Sequence, residues 1–358
     1  MTPASVLVVI TRRLGDVLFA TPLLASLRAA WPDSAIDALV FTGTEGVLRR
    51  HPALRRVLTV PERPGSAEHR VLVRSILRRY DLAVSLLCGD RPVLYARLAG
   101  RRAVAPTLPG AKQAWKRFLL TDSVPFEARA RHTVLMNLAL GAHLGADPRP
   151  EVALHWDASD QAMAAQALPF PLATPFAVLH PSPRFVYKAW HEPGWAALSR
   201  WLADRGLRTV LTGGPSPAER AFAAALVPAL AQDAVNLAGV LDLPATACLV
   251  GHAQVYIGPD TVTTHVAAAA GVPTVALFGP SNPIVWGPWP RGHGLTNPYH
   301  LKGTQRSGNV LLIQGEGDCV PCLQEGCARR IDSDSRCLKE LSAQTVIRGV
   351  AGLLGMSP

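Results

Sequence analysis

Three stretches of this chain place chemically capable residues where apolar runs end. The first is "TRRLGDV", residues 11–17. A short apolar run, Val6 to Ile10, stops at Arg12 and Arg13, and Gly15 and Asp16 precede a second apolar stretch. A carboxylate between a strand and a helix acts either as an N-cap or first-turn acid or as a general base facing a ligand. Spacing alone favours the cap. Two guanidiniums at a strand end are either solvated or hold an anionic ligand.

The second stretch is "HPSPRFVYKAW", residues 180–190, where a polar loop carries Arg184 and Lys188. It reads as a surface loop with two cations or as a lysine aimed at phosphate. The third is "GPDTVTTHVAAAAG", residues 258–271: Asp260, then Thr261, Thr263, Thr264 and His265, then a small-residue helix. Backbone N–H groups at such a helix start suit a pyrophosphate, and the hydroxyls add donors. A lone histidine in this context is more often a structural hydrogen-bonder than a catalyst.

Six cysteines form two sets. Cys88 and Cys248 lie in apolar contexts and are expected in the core. Cys319, Cys322, Cys327 and Cys337 follow the pattern C-x2-C-x4-C-x9-C. In a reducing compartment this spacing suits a structural zinc or a single iron, or else four reduced thiols in a packed loop. Such a metal would brace the loop and would not be a catalytic cofactor.

The elements that must position these residues are legible as an alternation. Strands are expected at 6–10, 35–41 and 82–87, with a helix over 21–30. The pattern restarts with strands at 176–180, 208–214, 253–260 and 273–281 and a helix over 194–206, where Trp195, Leu198 and Leu202 share a face and Gly206 caps the end. Alternating strands and helices imply an α/β fold of parallel sheets covered on both faces. The Ala- and Pro-rich stretch near 157–175 is the expected junction between two Rossmann-like domains, 1–165 and 170–350. In such sheets ligands bind beyond the C-terminal strand ends, where all three stretches fall.

Bulk properties narrow the class. The length of 358 residues suits two domains, and 49% apolar with 17% charged residues argues against disorder. No apolar run reaches the length of a membrane span, and the first residues do not read as a signal peptide, so a cytoplasmic protein is expected. The net charge of +10 is concentrated: residues 49–131 hold 18 Lys and Arg against 6 Asp and Glu. That half suits an anionic partner: nucleic acid, anionic lipid or a phosphorylated substrate. No nucleic-acid module accompanies it, so no nucleic-acid partner is expected. No G-x-G-x-x-G follows a strand and no P-loop occurs, which weakens a nicotinamide dehydrogenase or a P-loop nucleotidase.

Taken in order, "RRLGDVLFATPLLASLR", "HPSPRFVYKAW", "TGGPSPAER" and "IGPDTVTTHVAAAAGVPTVALFGPSNP" resemble the motifs of the ADP-heptose:lipopolysaccharide heptosyltransferases, glycosyltransferase family 9. The resemblance covers nearly the whole chain. It implies a GT-B fold, with acceptor in the first domain and nucleotide-sugar in the second, and an inverting, metal-independent transfer. By motif, Asp16 becomes the base, Lys188 faces the donor phosphates and Glu219 lies near the ribose. Asp260, Thr261 and His265 match donor-contacting positions, and Arg12 and Arg13 would steer the acceptor. The implied partners are ADP-heptose and an anionic lipopolysaccharide core at the cytoplasmic leaflet of the inner membrane. "AKQAWKRFLL", residues 111–120, would either rest on that leaflet or pack as an ordinary helix. Some relatives that heptosylate proteins carry iron at a similar cysteine cluster. Two positions depart from the family: Val262 stands where a small residue is common, and His191 where proline is. Alternatives are a same-fold transferase using another nucleotide-sugar or a protein acceptor, a nucleotide-sugar epimerase, or a basic nucleic-acid-binding protein.

Overall fold

A computed structural model describes residues 2–110, 114–127 and 129–357. The chain divides into two compact units, Met1–His155 with Gly294–Thr296, and Trp156–His293 with Asn297–Pro358. The division falls about ten residues before the junction expected from composition. The reason is the Ala-rich helix Ala158–Ala167, which packs against Leu243–Gly251 of the second unit and so belongs to it.

The first unit runs β1 (Ser5–Ile10), α1 (Leu14–Leu18), α2 (Thr21–Ala30), β2 (Ala35–Phe41), β3 (Arg56–Val60), α3 (Ser66–Ile76), β4 (Tyr80–Ser85), α4 (Asp90–Ala99), β5 (Gly100–Thr107), α5 (Ala114–Leu119), β6 (Asp122–Pro125) and α6 (Thr133–His143). Its six parallel strands lie in the order β3-β2-β1-β4-β5-β6. β1 is buried from Val6 to Ile10 because α-helices cover both faces of a parallel sheet. α2 turns Leu23, Leu24 and Leu27 into the core, as its 3.6-residue period predicts.

The second unit runs α7 (Ala158–Ala167), β7 (Phe176–Leu179), α8 (Glu192–Ala203), β8 (Arg208–Leu211), α9 (Pro217–Leu226), β9 (Val235–Asn236), α10 (Leu243–Gly251), β10 (Val255–Pro259), α11 (Val262–Ala270), β11 (Thr274–Phe278), α12 (Pro283–Trp286), β12 (Gln305–Ser307), β13 (Val310–Gln314), α13 (Arg336–Lys339) and α14 (Ala343–Leu354). The sheet order is β12-β13-β11-β10-β7-β8-β9, with β12 antiparallel at the edge. Without β12, both sheets have one topology: the first strand of each unit is central, and the chain reverses direction across the sheet beside it. The switch points lie between β1 and β4 and between β7 and β10, where doubly wound sheets bind ligands. Trp195, Leu198 and Leu202 of α8 are fully buried. α11 ends on Gly271 at φ +83°, a left-handed position that suits glycine.

Asp37 interrupts the apolar run of β2 and is fully buried. It accepts hydrogen bonds from Arg55 (2.6 and 2.9 Å), Arg56 (2.8 Å) and the Tyr80 hydroxyl (2.7 Å). Burial works against its ionisation, but these donors more than offset it and hold the carboxyl below its ordinary value. Asp37, Arg55, Arg56 and Tyr80 sit towards the starts of β2, β3 and β4, the end of the sheet opposite the switch point. Asp37→Ala leaves the Tyr80 hydroxyl and two guanidiniums without their acceptor. We expect a loss of about 3 kcal/mol in urea denaturation, the lower part of the range for a broken buried pair because both arginines are half-exposed. A loss below about 1 kcal/mol would show that the cluster does not hold the strands together.

Candidate functional site

In the first unit the chain leaves β1 at Thr11 and enters α1 with Arg13 as N-cap and no side-chain cap. Asp16 is therefore not the N-cap but the first-turn acid, the other of the two structural roles its position allowed. It occupies the third helical position, from which its carboxylate accepts the backbone N–H of Arg13. A side chain reaching back to the cap N–H satisfies an orphan donor of the first turn. Arg12 lies 3.6 Å from the carboxylate and is half-exposed, whereas Asp16 is largely buried. Burial pushes the Asp16 carboxyl above its ordinary value, against the pull of Arg12, of the Arg13 N–H and of the Arg13 charge. The result is a carboxylate more basic than a solvated one, flanked by two exposed guanidiniums at a switch point.

In the second unit three strand ends converge on Asp260. It follows β10 and is buried. Lys188, from the loop after β7, donates to its Oδ2 at 2.5 Å, and Ser281, from the loop after β11, donates to the same atom at 2.7 Å. His265 Nε2 lies 3.6 Å from Oδ1. Burial raises the Asp260 carboxyl, but Lys188 and His265 outweigh it, so the group lies far below the ordinary range and is ionised at any physiological pH. Lys188 is only 19% exposed. Its ammonium is held at the switch point by one carboxylate oxygen and, weakly, by the Asp260 carbonyl at 3.4 Å.

The helix start beside this pair is fixed by buried hydroxyls. Thr264 donates to the Pro259 carbonyl and shares contacts with the hydroxyls of Tyr256 (3.0 Å) and Thr261 (3.3 Å). Thr261 is the N-cap of α11 and makes no side-chain cap bond. Gly258 lets β10 pass over the Tyr256 ring, since a Cβ there would lie 2.4 Å from the tyrosine oxygen. Glu219 stands apart from the Asp260 cluster. Its carboxylate accepts from the Gly214 N–H (3.2 Å) and the Ser216 hydroxyl (2.6 Å), while the Ser216 oxygen, as N-cap of α9, accepts the Glu219 N–H (3.3 Å).

Sequence reasoning brought Lys188, Asp260, Thr261 and His265 to one place and missed two partners. Ser281 was visible as the first polar residue after the β11 run, three positions beyond Phe278. His180 bonds Thr212 at 3.0 Å across the ends of β7 and β8, and burial pushes its imidazole down to about 4, so it is neutral. At the first departure from the family pattern, His191 caps α8 by accepting the Gly194 N–H (2.9 Å) and contacts the Leu341 carbonyl (2.8 Å). Cys248 is buried, but Cys88 is only half-buried, because it lies beyond β4 with its carbonyl taken by Lys116.

The four clustered cysteines share one loop. Burial, with the thiols of Cys322, Cys327 and Cys319 nearby, pushes the Cys337 thiol up to about 11. Cys327 and Cys319 are exposed, and a backbone N–H from Arg336 points at the Cys327 sulfur (3.3 Å). Among the described residues no three His, Cys, Asp or Glu side chains form a set able to hold a metal ion.

Two doubly wound units of this topology make the GT-B fold, which solved heptosyltransferases share. Residues 101–305 match the model of glycosyltransferase family 9 (heptosyltransferase), and the chain belongs to that family. It is 28% identical to lipopolysaccharide heptosyltransferase 3 of Escherichia coli over 77% of this chain and 83% of that one. It is also 28% identical to lipopolysaccharide heptosyltransferase 1 of Pseudomonas aeruginosa, over 95% and 92%. The solved E. coli ADP-heptose lps heptosyltransferase II shares the fold with a TM-score of 0.76 at 22% identity, covering 98% of both chains.

The depressed Asp260 carboxyl contributes stability that is present above the unfolded carboxylate value and lost only as pH falls well below it. Lys188→Met removes the largest opposing charge, so the carboxyl rises and the acid limb of the stability curve moves to higher pH. Thermal unfolding across pH 3–8 is expected to show that shift together with a loss of about 2–3 kcal/mol at pH 7. An unmoved acid limb would mean that Lys188 does not hold the Asp260 charge.

Proposed function

We propose that this chain is an inverting heptosyltransferase of the lipopolysaccharide inner core, taking heptose from ADP-heptose without a catalytic metal. The observation that carries the reading is Asp16: a largely buried carboxylate with a raised pKa, beside two exposed arginines at a switch point. In the reaction an acceptor hydroxyl oxygen attacks the anomeric carbon of the donor from the face opposite the leaving ADP. The bond from that carbon to the β-phosphate oxygen breaks, the proton passes to Asp16, and the electron pair leaves with ADP. A late proton transfer to such a base accelerates by about 10²–10⁴. Arg12 and Arg13 hold the anionic acceptor.

On the donor side, Lys188 neutralises the charge that develops on the phosphate, with the N–H groups that open α11 as further donors. Asp260 and Ser281 hold that ammonium in place before the donor arrives, so little reorganisation is needed. Thr261 and His265 contact the donor. The Glu219 oxygens keep lone pairs for the ribose hydroxyls beyond the bonds from Gly214 and Ser216. The relatives' lipopolysaccharide substrates support a core acceptor and a place at the cytoplasmic face of the inner membrane. Among the described residues no helix is long and apolar enough to cross a membrane, in keeping with peripheral attachment.

Asp16→Asn tests this reading. Transfer from ADP-heptose to a truncated core acceptor should fall by about 10²-fold or more, with the donor Kd by calorimetry within about threefold of wild type. Wild-type kcat should decline on the acid side through a pKa above the ordinary carboxylate value. A raised carboxyl costs the fold stability at neutral pH, so the variant's Tm should equal or exceed that of the wild type. Near-normal transfer by Asp16→Asn would remove Asp16 as the base. Failure to bind ADP-heptose while a UDP-sugar binds would reject the donor.

A further inference from the structure

The first unit carries a groove away from its strand ends, of about 420 Å³, between α3, α4 and α5. Its apolar wall is made by Leu77, Leu94, Leu98 and Leu119, and Arg78, Arg91 and Arg97 stand along it. No acidic side chain lines it. Arg91 donates to the Glu62 carbonyl at 2.8 Å. Arg78 and Arg97 have no carboxylate partner among the described residues. Arg78 sits at φ +52°, uncommon for a residue with a Cβ, and its N–H is tied to the Leu98 carbonyl at 2.9 Å, which fixes it at the groove edge. Tyr95 also lines the groove. Its hydroxyl is buried and has no hydrogen-bond partner among the described residues.

The surface beside the groove is unusually apolar for one so basic. Phe118 is 89% exposed, and Val71, Leu77, Leu94 and Trp115 are each at least two-fifths exposed. α5 is not free to turn these side chains inward. Lys116 is buried against α4, paired with Asp90 at 2.7 Å and donating to the Cys88 carbonyl. That anchor leaves Trp115 and Phe118 facing out. Of the cations in residues 111–120, Lys116 is buried and Arg117 is exposed, while residues 111–113 lie outside the described residues.

We infer that the α3–α4–α5 face docks on an anionic bilayer and that the groove admits one anionic phospholipid. The phosphate meets Arg78 and Arg97, the glycerol oxygens meet the Tyr95 hydroxyl, and the upper acyl chain lies on Leu77, Leu94 and Leu98. Charge complementarity selects this occupant: unpaired guanidiniums over an apolar wall match a molecule that is anionic at one end and apolar at the other. A flat membrane contact explains the outward aromatics, and a single lipid explains the groove. The inference rests on the proposed action at a membrane surface and names the face that meets it.

Flotation of the full chain with vesicles tests it, using phosphatidylcholine alone and phosphatidylcholine mixed with phosphatidylglycerol. We expect binding to the anionic vesicles at least about tenfold above the neutral ones, weakening with salt. Arg78→Glu with Arg97→Glu should lose about tenfold or more, and Phe118→Ser several-fold, with Tm and the Kd for ADP-heptose unchanged. Transfer to a soluble, lipid-free acceptor should survive in these variants, so loss of docking is read separately from loss of the transferase reading. Equal binding to both vesicles, or variants that float like wild type, would overturn the inference. So would soluble glycerol phosphate displacing the protein from vesicles at micromolar concentration, which would point to a free phosphate ligand. A concentration-dependent dimer abolished by Phe118→Ser would overturn it too, assigning the face to a second copy of the chain.

Discussion

The second unit of this molecule depends on one buried charge. Asp260 stands at the end of β10, where burial alone would neutralise it, and it remains ionised because Lys188 and His265 outweigh that cost. The bargain is structural as well as electrostatic. A carboxylate that must be paired pulls the loops after β7 and β11 onto the end of β10, since Lys188 comes from one and Ser281 from the other. The same pairing leaves an ammonium with further N–H groups at the mouth of α11. A point charge placed before the ligand arrives is what a departing diphosphate requires.

The first unit uses a carboxylate in the opposite sense. Asp16 is buried with weaker compensation, so its pKa rises and the folded state carries a penalty when it ionises. Asp37, one strand away and at the other end of the sheet, has four hydrogen bonds from three side chains and is depressed. The contrast separates two roles on one sheet. At the end opposite the switch point the charge is satisfied and holds strands together; at the switch point it is less fully compensated and more available to a proton. Active sites commonly show this pairing of function with local cost.

Much of this was legible in residue order. β2 and α2 fall where their periodicity put them, and Lys188 and His265, singled out in separate motifs, both pair with Asp260. What was not legible had specific causes. β3, β5 and β6 carry arginines, aspartates or prolines among their apolar residues, so no clean alternation marked them. Whether Asp16 was N-cap or first-turn acid was not legible, because the sequence did not show that Arg13 has the cap's extended backbone. The junction was placed late because a helix of small residues resembles a linker until its packing partner, α10, is known. The orphaned Tyr95 hydroxyl is encoded by no local pattern.

The central claim is that the switch point of the second unit holds the diphosphate of a nucleotide-sugar through a lysine fixed by Asp260. A crystal structure of this chain with ADP tests that most directly. The account predicts a β-phosphate oxygen within hydrogen-bond distance of Lys188 Nζ, beside the backbone N–H groups that open α11, with the Lys188–Asp260 pair intact. A diphosphate bound instead at Arg12 and Arg13, with Lys188 making no contact to it, would contradict the assignment of donor and acceptor to the two units.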